Sequence, residues 1–237
     1  RVPHESLHIY KSLKKKSMFL GQEGVVDLSK FSLEGGSRKS IRNAISKVKE
    51  RGYKILFHFP PIKDGQLQKI KSVSDEWLAD TGRKEIIFSQ GMFDWEELKQ
   101  QTILTVENSE EKVVAFLNII PDFAKNESTY DLLRKTSDAP NGVMDFILVE
   151  MFNFLKSEGF ETVNLGFAPM SGLKDPTKFS EKSMKFAYEK MKSFSQYKGM
   201  REYKEKFATI WYNKYLIYEH DYDLTQIPTA LSKVIKT

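Results

Sequence analysis

The chain has 237 residues, with 37 Lys and Arg against 32 Asp and Glu (net +5), 40% apolar residues and no cysteine. That length suits one large domain or two small ones with a real core, and 13% aromatic with 29% charged residues excludes a disordered chain. The absent cysteine excludes disulfides, thiolate–zinc sites and cysteine nucleophiles, while a charge of +5 admits anionic partners without requiring them.

No stretch approaches the roughly 20 apolar residues of a membrane-spanning helix; Phe116–Phe123 is among the longest nearly uncharged runs. The start, Arg1-Val-Pro-His4, has neither an initiator Met nor a signal-peptide pattern, so the sequence reads as a piece of a longer protein. Residues 1–20 read as helical and then basic, with Lys14, Lys15 and Lys16 in a row. Val25-Val26-Asp27-Leu28 is a short strand. Glu34-Gly35-Gly36-Ser37 is a turn in which Ser37 is the expected N-cap. Ile41, Ala44, Ile45 and Val48 then follow the i, i+3, i+4, i+7 spacing of an amphipathic helix over 38–51, closed by Gly52. Arg38, Lys39, Arg42, Lys47, Lys49 and Arg51 lie off its apolar face, opposed only by Glu50. Such a face suits phosphate backbones or anionic lipid, or is simply solvated. Tyr53–Phe59 is a strand, and Pro60-Pro61 is the expected domain linker.

Leu67, Ile70, Val73 and Trp77 predict a helix ending before Gly82, and Asp94-Trp-Glu-Glu97 has the form of a capping box with Asp94 as N-cap. Thr102–Val106 and Lys112–Ile120 read as strands joined by the Asn108–Glu111 turn, and Ser128–Arg134 as another strand. After Pro140-Asn-Gly142 a helix runs to about Glu158, Gly159 ends it, and Thr162–Leu165 is a buried strand. Further helices are expected over 181–196 and 200–207, with a strand over Ile210–Tyr218. Helices and strands alternating after a hairpin indicate an α/β fold with a mixed sheet.

Three motifs point to chemistry. His4-Glu5-Ser6-Leu7-His8 has the H-E-x-x-H spelling of zinc proteases, but it sits at the chain's exposed start, and neither His58 nor His220 follows at a suitable spacing. No metal site is expected. A second basic stretch, Lys174 to Lys214, sets eleven Lys or Arg against five acids among many aromatics, a mixture suited to handling apolar chains and phosphate together. Finally, Arg134-Lys-Thr-Ser137-Asp-Ala139 echoes the R/Q-x-x-G-x-G/A loop with which N-acetyltransferases grip coenzyme A pyrophosphate. Ser137 replaces the first glycine, and its Cβ obstructs close approach of phosphate to backbone N–H groups. Pro140 removes a donor nearby. The setting fits an acetyltransferase-like fold, and the residues argue against its usual cofactor.

Longer stretches carry a family resemblance. Tyr130-Asp-Leu-Leu-Arg134, Asp138-Ala-Pro-Asn-Gly-Val-Met-Asp145 and Asn164-Leu-Gly-Phe-Ala-Pro-Met-Ser-Gly-Leu173 resemble the catalytic domain of phosphatidylglycerol lysyltransferases, the bacterial multiple-peptide-resistance proteins. Leu20–Asp27, Arg38–Asn43, Ser74-Asp-Glu-Trp-Leu78 and Gly199–Phe207 add to the likeness, which departs at Thr209 and Trp211-Tyr-Asn-Lys-Tyr215. The resemblance implies tandem acetyltransferase-like (GNAT-like) folds: residues 1–60 would end a truncated first repeat, and residues 61–237 would form the second, catalytic one. It implies transfer of an aminoacyl group, typically lysyl, from aminoacyl-tRNA to the headgroup of phosphatidylglycerol, conferring resistance to cationic antimicrobial peptides. It further implies an N-terminal transmembrane flippase portion in the parent protein and a place on the cytoplasmic face of the bacterial cell membrane; the sequence leaves the oligomeric state open, a homo-oligomer included. Ester exchange needs no cofactor beyond the tRNA co-substrate.

That reaction requires a site for an ammonium, help in deprotonating a hydroxyl, and positive charge for an oxyanion and for phosphates. Under the resemblance Asp131 is the anion at the reacting centre, as ammonium anchor or base. Arg134 pairs with lipid phosphate or the oxyanion, and Lys206 and Lys204 supply charge. Asp145 and Asn164 shape the pocket, and Arg38 and Arg42 bind substrate from the basic helix. The plainer readings are an Asp131–Arg134 salt bridge and an early-helix acid at Asp145. Other expectations are a Fem-type transferase acting on a peptidoglycan precursor, an acetyl-CoA enzyme, or a non-catalytic module binding tRNA or membrane.

Overall fold

A computed structural model describes residues 1–82, 85, 91–121, 123–169, 171 and 194–226, with backbone alone at 121 and 194–198. These residues fall into two compact units: one joins residues 1–31 to those from 164 onward, the other is residues 32–163. The Pro60-Pro61 pair, joined by a cis peptide bond, lies inside the second unit. Among the described residues no helix is long and apolar enough to cross a membrane.

The 32–163 unit begins with α1 (Lys39–Glu50), whose Ile41, Ile45 and Val48 are buried as the period requires. Its N-terminus corrects the capping expectation. A 3-10 turn over Gly36–Arg38 leads in, Arg38 takes the N-cap position in a helical conformation, and no side chain caps the end. Continuous winding from the turn into the helix leaves Ser37 no extended cap geometry to occupy. Strand β1 (Lys54–His58), α2 (Asp64–Thr81, ended by Gly82 at φ +61°) and α3 (Trp95–Lys99) follow. Asp94 caps α3 as expected, its side chain accepting from Glu97 N–H at 2.9 Å.

Next come β2 (Thr102–Glu107), β3 (Val113–Pro121) and β4 (Glu127–Lys135), then α4 (Val143–Ser157). The strands are adjacent in the order β4-β3-β2-β1, each pair antiparallel. Alternate residues send their side chains to opposite faces. Ile103, Phe116 and Leu132 pack with Leu67, Ile70 and Val73 of α2, while Phe57 on the other face meets Phe154 of α4, ring centres 4.9 Å apart. Gly142 opens α4 at φ +93°, directly over Ala44 of α1; a Cβ there would stand 2.9 Å from that of Ala44. Lys49–Glu150, 3.0 Å, ties the two helices together.

The other unit corrects the expectation of a helical residue 1–20 segment. Only Leu7–Ser12 forms an α-helix, α5, and Lys16–Asp27 is one long strand, β5. The cause is pairing with β6 (Ile210–Tyr218), whose Tyr218 meets Lys16 and whose Ile210 meets Val25. Val2–Pro3 lies along the far edge of β6, and β7 (Thr162–Pro169) lies beside β5. Helix α6 (Phe194–Glu205) precedes β6, where a shorter helix over 200–207 is expected. The helix expected over 181–196 lies largely outside the described residues. The stretch Trp211–Tyr215, where the family likeness departs, is therefore strand paired to β5, with Lys214 on Glu23 at 2.6 Å and Asn213 on Gln22 at 3.0 Å.

Candidate functional site

Asp131 and Arg134 lie three apart on β4, and a flat strand would point them to opposite faces. Register shows why they share one. Leu117 pairs with Leu133 and Ile119 with Tyr130, so Asn118 alone faces both Asp131 and Leu132. This is a bulge, and alternation restarts across it. Asn118 is buried, and its side-chain oxygen accepts from Leu132 N–H at 2.6 Å while its amide donates to Gln101 at 2.8 Å.

On the α2 face Asp131 meets Gly91 and Arg134 meets Glu85. Asp131 accepts a hydrogen bond from Gly91 N–H at 2.7 Å. Gly91 is packed so closely that a Cβ would sit 1.5 Å from the second carboxylate oxygen. Arg134 is buried, 4% exposed. It donates to both oxygens of Glu85 at 2.8 and 2.7 Å and to the Ser74 hydroxyl, and lies over the Trp77 ring at 5.0 Å. Glu85 also accepts from Phe93 N–H at 3.3 Å. Burial pushes the Glu85 carboxyl up, but the Arg134 guanidinium outweighs it and holds the group below its ordinary value.

The sequence assigns no place in the site to Ser74, Trp77, Glu85, Gly91 or Asn118, although Trp77 belongs to the stripe of α2 and Ser74 to the family likeness. Two were signalled: Ser74 is a hydroxyl within the apolar stripe of α2, and Asn118 an amide inside an apolar strand. Buried polar groups need partners.

The loop after β4 also differs from a phosphate cradle. Ser137 donates through both its N–H (2.9 Å) and hydroxyl (2.8 Å) to one oxygen of Glu76 on α2. Thr136 N–H is spent on the Val114 carbonyl at 2.9 Å. Asp138 pairs with Lys112 at 2.7 Å. Asp145 is buried in the first turn of α4, where the helix N-terminus favours an acid. Arg42 donates to the carbonyls of Leu33 and Gly35, at 2.8 Å for the latter, and so fixes the loop before α1. Arg38 is half-buried at that helix start.

Asn164, Lys204 and Lys206 belong to the other unit. Asn164 accepts from Gly166 N–H at 2.8 Å, in a turn where Gly166 has φ +81°. Lys204 is 7% exposed and donates to the Phe167 carbonyl at 3.0 Å. A Cβ on Gly166 would approach its ammonium to 3.5 Å. Burial lowers the Lys204 pKa from 10.5 to about 8, against a raising influence of Glu23 and with a further lowering by Arg1. Lys206 sits over the Tyr203 ring at 4.9 Å.

The depressed Lys204 has a measurable consequence. Between pH 8 and 10.5 the unfolded chain holds a proton that the folded chain has released, so this group makes stability rise with pH across that window. Lys204→Met is expected to stabilise the fold at pH 7 by on the order of 1–3 kcal/mol, the gain fading towards pH 10.5. Urea denaturation at several pH values checks it.

His4 and His8 have other partners: Tyr215 hydroxyl at 3.1 Å and the Glu5 carbonyl at 2.7 Å. Among the described residues no three His, Asp or Glu gather as metal ligands.

Comparison with known proteins follows the same lines. The family described as "Phosphatidylglycerol lysyltransferase, C-terminal" matches residues 1–218. A phosphatidylglycerol lysyltransferase of Bacillus subtilis (strain 168) is 31% identical over 237 residues, which cover 99% of this chain and 28% of that protein. The chain thus spans little more than a quarter of such a relative. Among solved structures, L-PGS from Bacillus licheniformis superposes with a TM-score of 0.83 at 30% identity, over 100% of this chain and 71% of that one. FemX matches with a TM-score of 0.57 at 9% identity, over 95% of this chain and 72% of that one. FemX carries a likeness of fold alone, and with L-PGS it bears out an acetyltransferase-like α/β architecture.

Proposed function

This chain belongs to the phosphatidylglycerol lysyltransferase family as part of its C-terminal region, and from that premise we propose that it transfers an aminoacyl group, lysyl first of all, from aminoacyl-tRNA to a glycerol hydroxyl of phosphatidylglycerol. The lipid oxygen attacks the ester carbonyl, the bond to the terminal ribose oxygen breaks, and the hydroxyl proton passes to that leaving oxygen. One ester replaces another, so the atoms balance with no further reactant.

Asp131 is the anion of this reaction, taking the hydroxyl proton or anchoring the aminoacyl ammonium. Its carboxylate is oriented by Gly91 N–H. Lys204 and Lys206, in the other unit, are candidates for substrate phosphate. Asn164 holds the turn on which Lys204 rests. Asp145 and Arg42 act by holding local structure, and Arg38 remains a candidate for substrate phosphate at the start of α1. The same proposal sets the reaction at the cytoplasmic face of the membrane, beside the transmembrane portion of a parent protein, with resistance to cationic peptides as its outcome.

The observation that carries this reading against an acetyl-CoA enzyme is Glu76. A carboxylate already takes the Ser137 N–H, where such an enzyme would present backbone donors to pyrophosphate. An aminoacyl-tRNA donor makes no demand on that loop.

The test is incubation with tRNAs carrying one labelled amino acid at a time, plus phosphatidylglycerol vesicles, followed by chromatography of the lipid. Labelled, alkali-labile lipid from lysyl-tRNA is expected. Label on no lipid from any aminoacyl-tRNA would refute the proposal, and label on an added peptide amine instead would support the Fem-type reading.

A further inference from the structure

We propose that Glu85 is a positioning residue of this transferase, and that Arg134 acts through Glu85 rather than on a substrate. The inference rests on the proposed aminoacyl transfer, and deepens it.

Arg134 carries a motif position at which a phosphate-binding arginine is expected, yet its environment is that of a buried strut. Two of its nitrogens are committed to the two oxygens of Glu85, one of them also to Ser74, and the guanidinium carbon lies 5.0 Å from the Trp77 ring centre. Its side chain is 5% exposed. For a lipid phosphate to take those donors, Glu85 would have to leave, stranding a quarter-exposed carboxylate against the protein. A bidentate guanidinium–carboxylate pair is strong and geometrically exacting, so exchange with an incoming phosphate has little to recommend it.

The pair has something to hold. Glu85 reaches Phe93, two residues after Gly91. Glu85 is fixed to Arg134 and accepts from Phe93 N–H; Gly91 donates to Asp131. Both anchors are on β4, brought to one face by the bulge opposite Asn118. Gly91 packs on the Asp131 carboxylate with no room for a methyl group. The Glu85–Arg134 pair therefore sets where the Gly91 amide stands, and that amide sets the aim of Asp131. A carboxylate at a reacting centre is sensitive to shifts of an ångström or less.

The test compares Glu85→Gln, Glu85→Ala, Arg134→Ala and the double variant E85A/R134A in the transfer assay. Glu85→Gln keeps the shape and one acceptor but removes the charge. It is expected to lower kcat by about 10- to 100-fold with KM for lipid and tRNA within about twofold. The double variant should lose no more than the worse single one, because both break the same device. An arginine that binds substrate directly predicts the opposite: Glu85→Gln near full activity, Arg134→Ala raising KM for lipid, and losses that multiply. Any of those results overturns the proposal.

Hydrogen exchange of the Gly91 amide is a second readout, independent of turnover and of whether the alanine variants fold. In Glu85→Gln it should quicken by about tenfold or more, and unchanged exchange also overturns the proposal. An inactive wild-type protein with quickened Gly91 exchange in the variant would count against the transfer reaction and leave the clamp standing.

Discussion

Asp131→Asn is expected to lower kcat for aminoacyl transfer by about 10³-fold, within the range for loss of an acid–base group, while the melting temperature stays within a few degrees of wild type. Asparagine is isosteric, and its side-chain oxygen still accepts the 2.7 Å hydrogen bond from Gly91 N–H. What disappears is the negative charge alone, so the variant separates chemistry from structure. A loss in kcat identifies a base; a loss in KM for aminoacyl-tRNA identifies an anchor for the ammonium. Gly91→Ala approaches the same group from the other side. Its Cβ would fall 1.5 Å from the carboxylate, so the Asp131 side chain must swing aside, and about a 10²-fold loss follows from displacement without any change of charge. Full activity in Asp131→Asn would remove Asp131 from the reaction.

Arg134→Met should destabilise the 32–163 unit strongly. Breaking a buried pair by deleting one partner costs about 3–5 kcal/mol; because Glu85 is a quarter exposed, about 3 kcal/mol is expected here. In a chain of this length that corresponds to a fall in Tm of about 10 °C. The sign of its pH dependence follows from Glu85, whose folded-state carboxyl lies below its ordinary 4.5. The stabilisation is complete above about pH 4.5 and is lost as pH falls through the lower folded value. The stability gap between wild type and variant should therefore narrow in acid, which calorimetry at pH 7 and below pH 4 would read. Arg134→Lys is not a rescue, because an ammonium cannot span both Glu85 oxygens. A gap that widens in acid would contradict the assignment of the pair.

The periodic parts of the fold are legible in the sequence alone. The buried face of α1, the Gly82 and Gly159 stops, the Asp94 cap and the limits of β6 follow from spacing and local backbone chemistry. Of strand β5 only the end, Val25–Asp27, is legible there; the stretch from Lys16 is not, because its identity comes from pairing with β6 nearly the whole chain away, and no local pattern reports a partner so distant. The family likeness located Asp131 and Arg134, but neither charge nor spacing showed what they touch. Glu85 is one acid among many in the sequence; only the fold sets it against Arg134. Arg42 shows the same limit from the other direction. Its place on a basic face suggested phosphate, and the fold commits its guanidinium to two backbone carbonyls.

The unpaired residue in β4 turns a number in the sequence into a signature. In a regular strand, two side chains that cooperate on one face are separated by an even count; here Asp131 and Arg134 are separated by three, and Asn118 accepts the amide that the irregularity displaces. Relatives that keep an odd spacing between these two charges should keep an amide or another acceptor opposite. A relative that had lost the extra residue could retain the geometry only with its acid and arginine two or four apart. With the bulge opposite Asn118 kept, inserting or deleting a single residue between them would turn one charge into the opposite layer of the fold, so this short interval should tolerate substitution far better than a change in length that leaves the bulge in place.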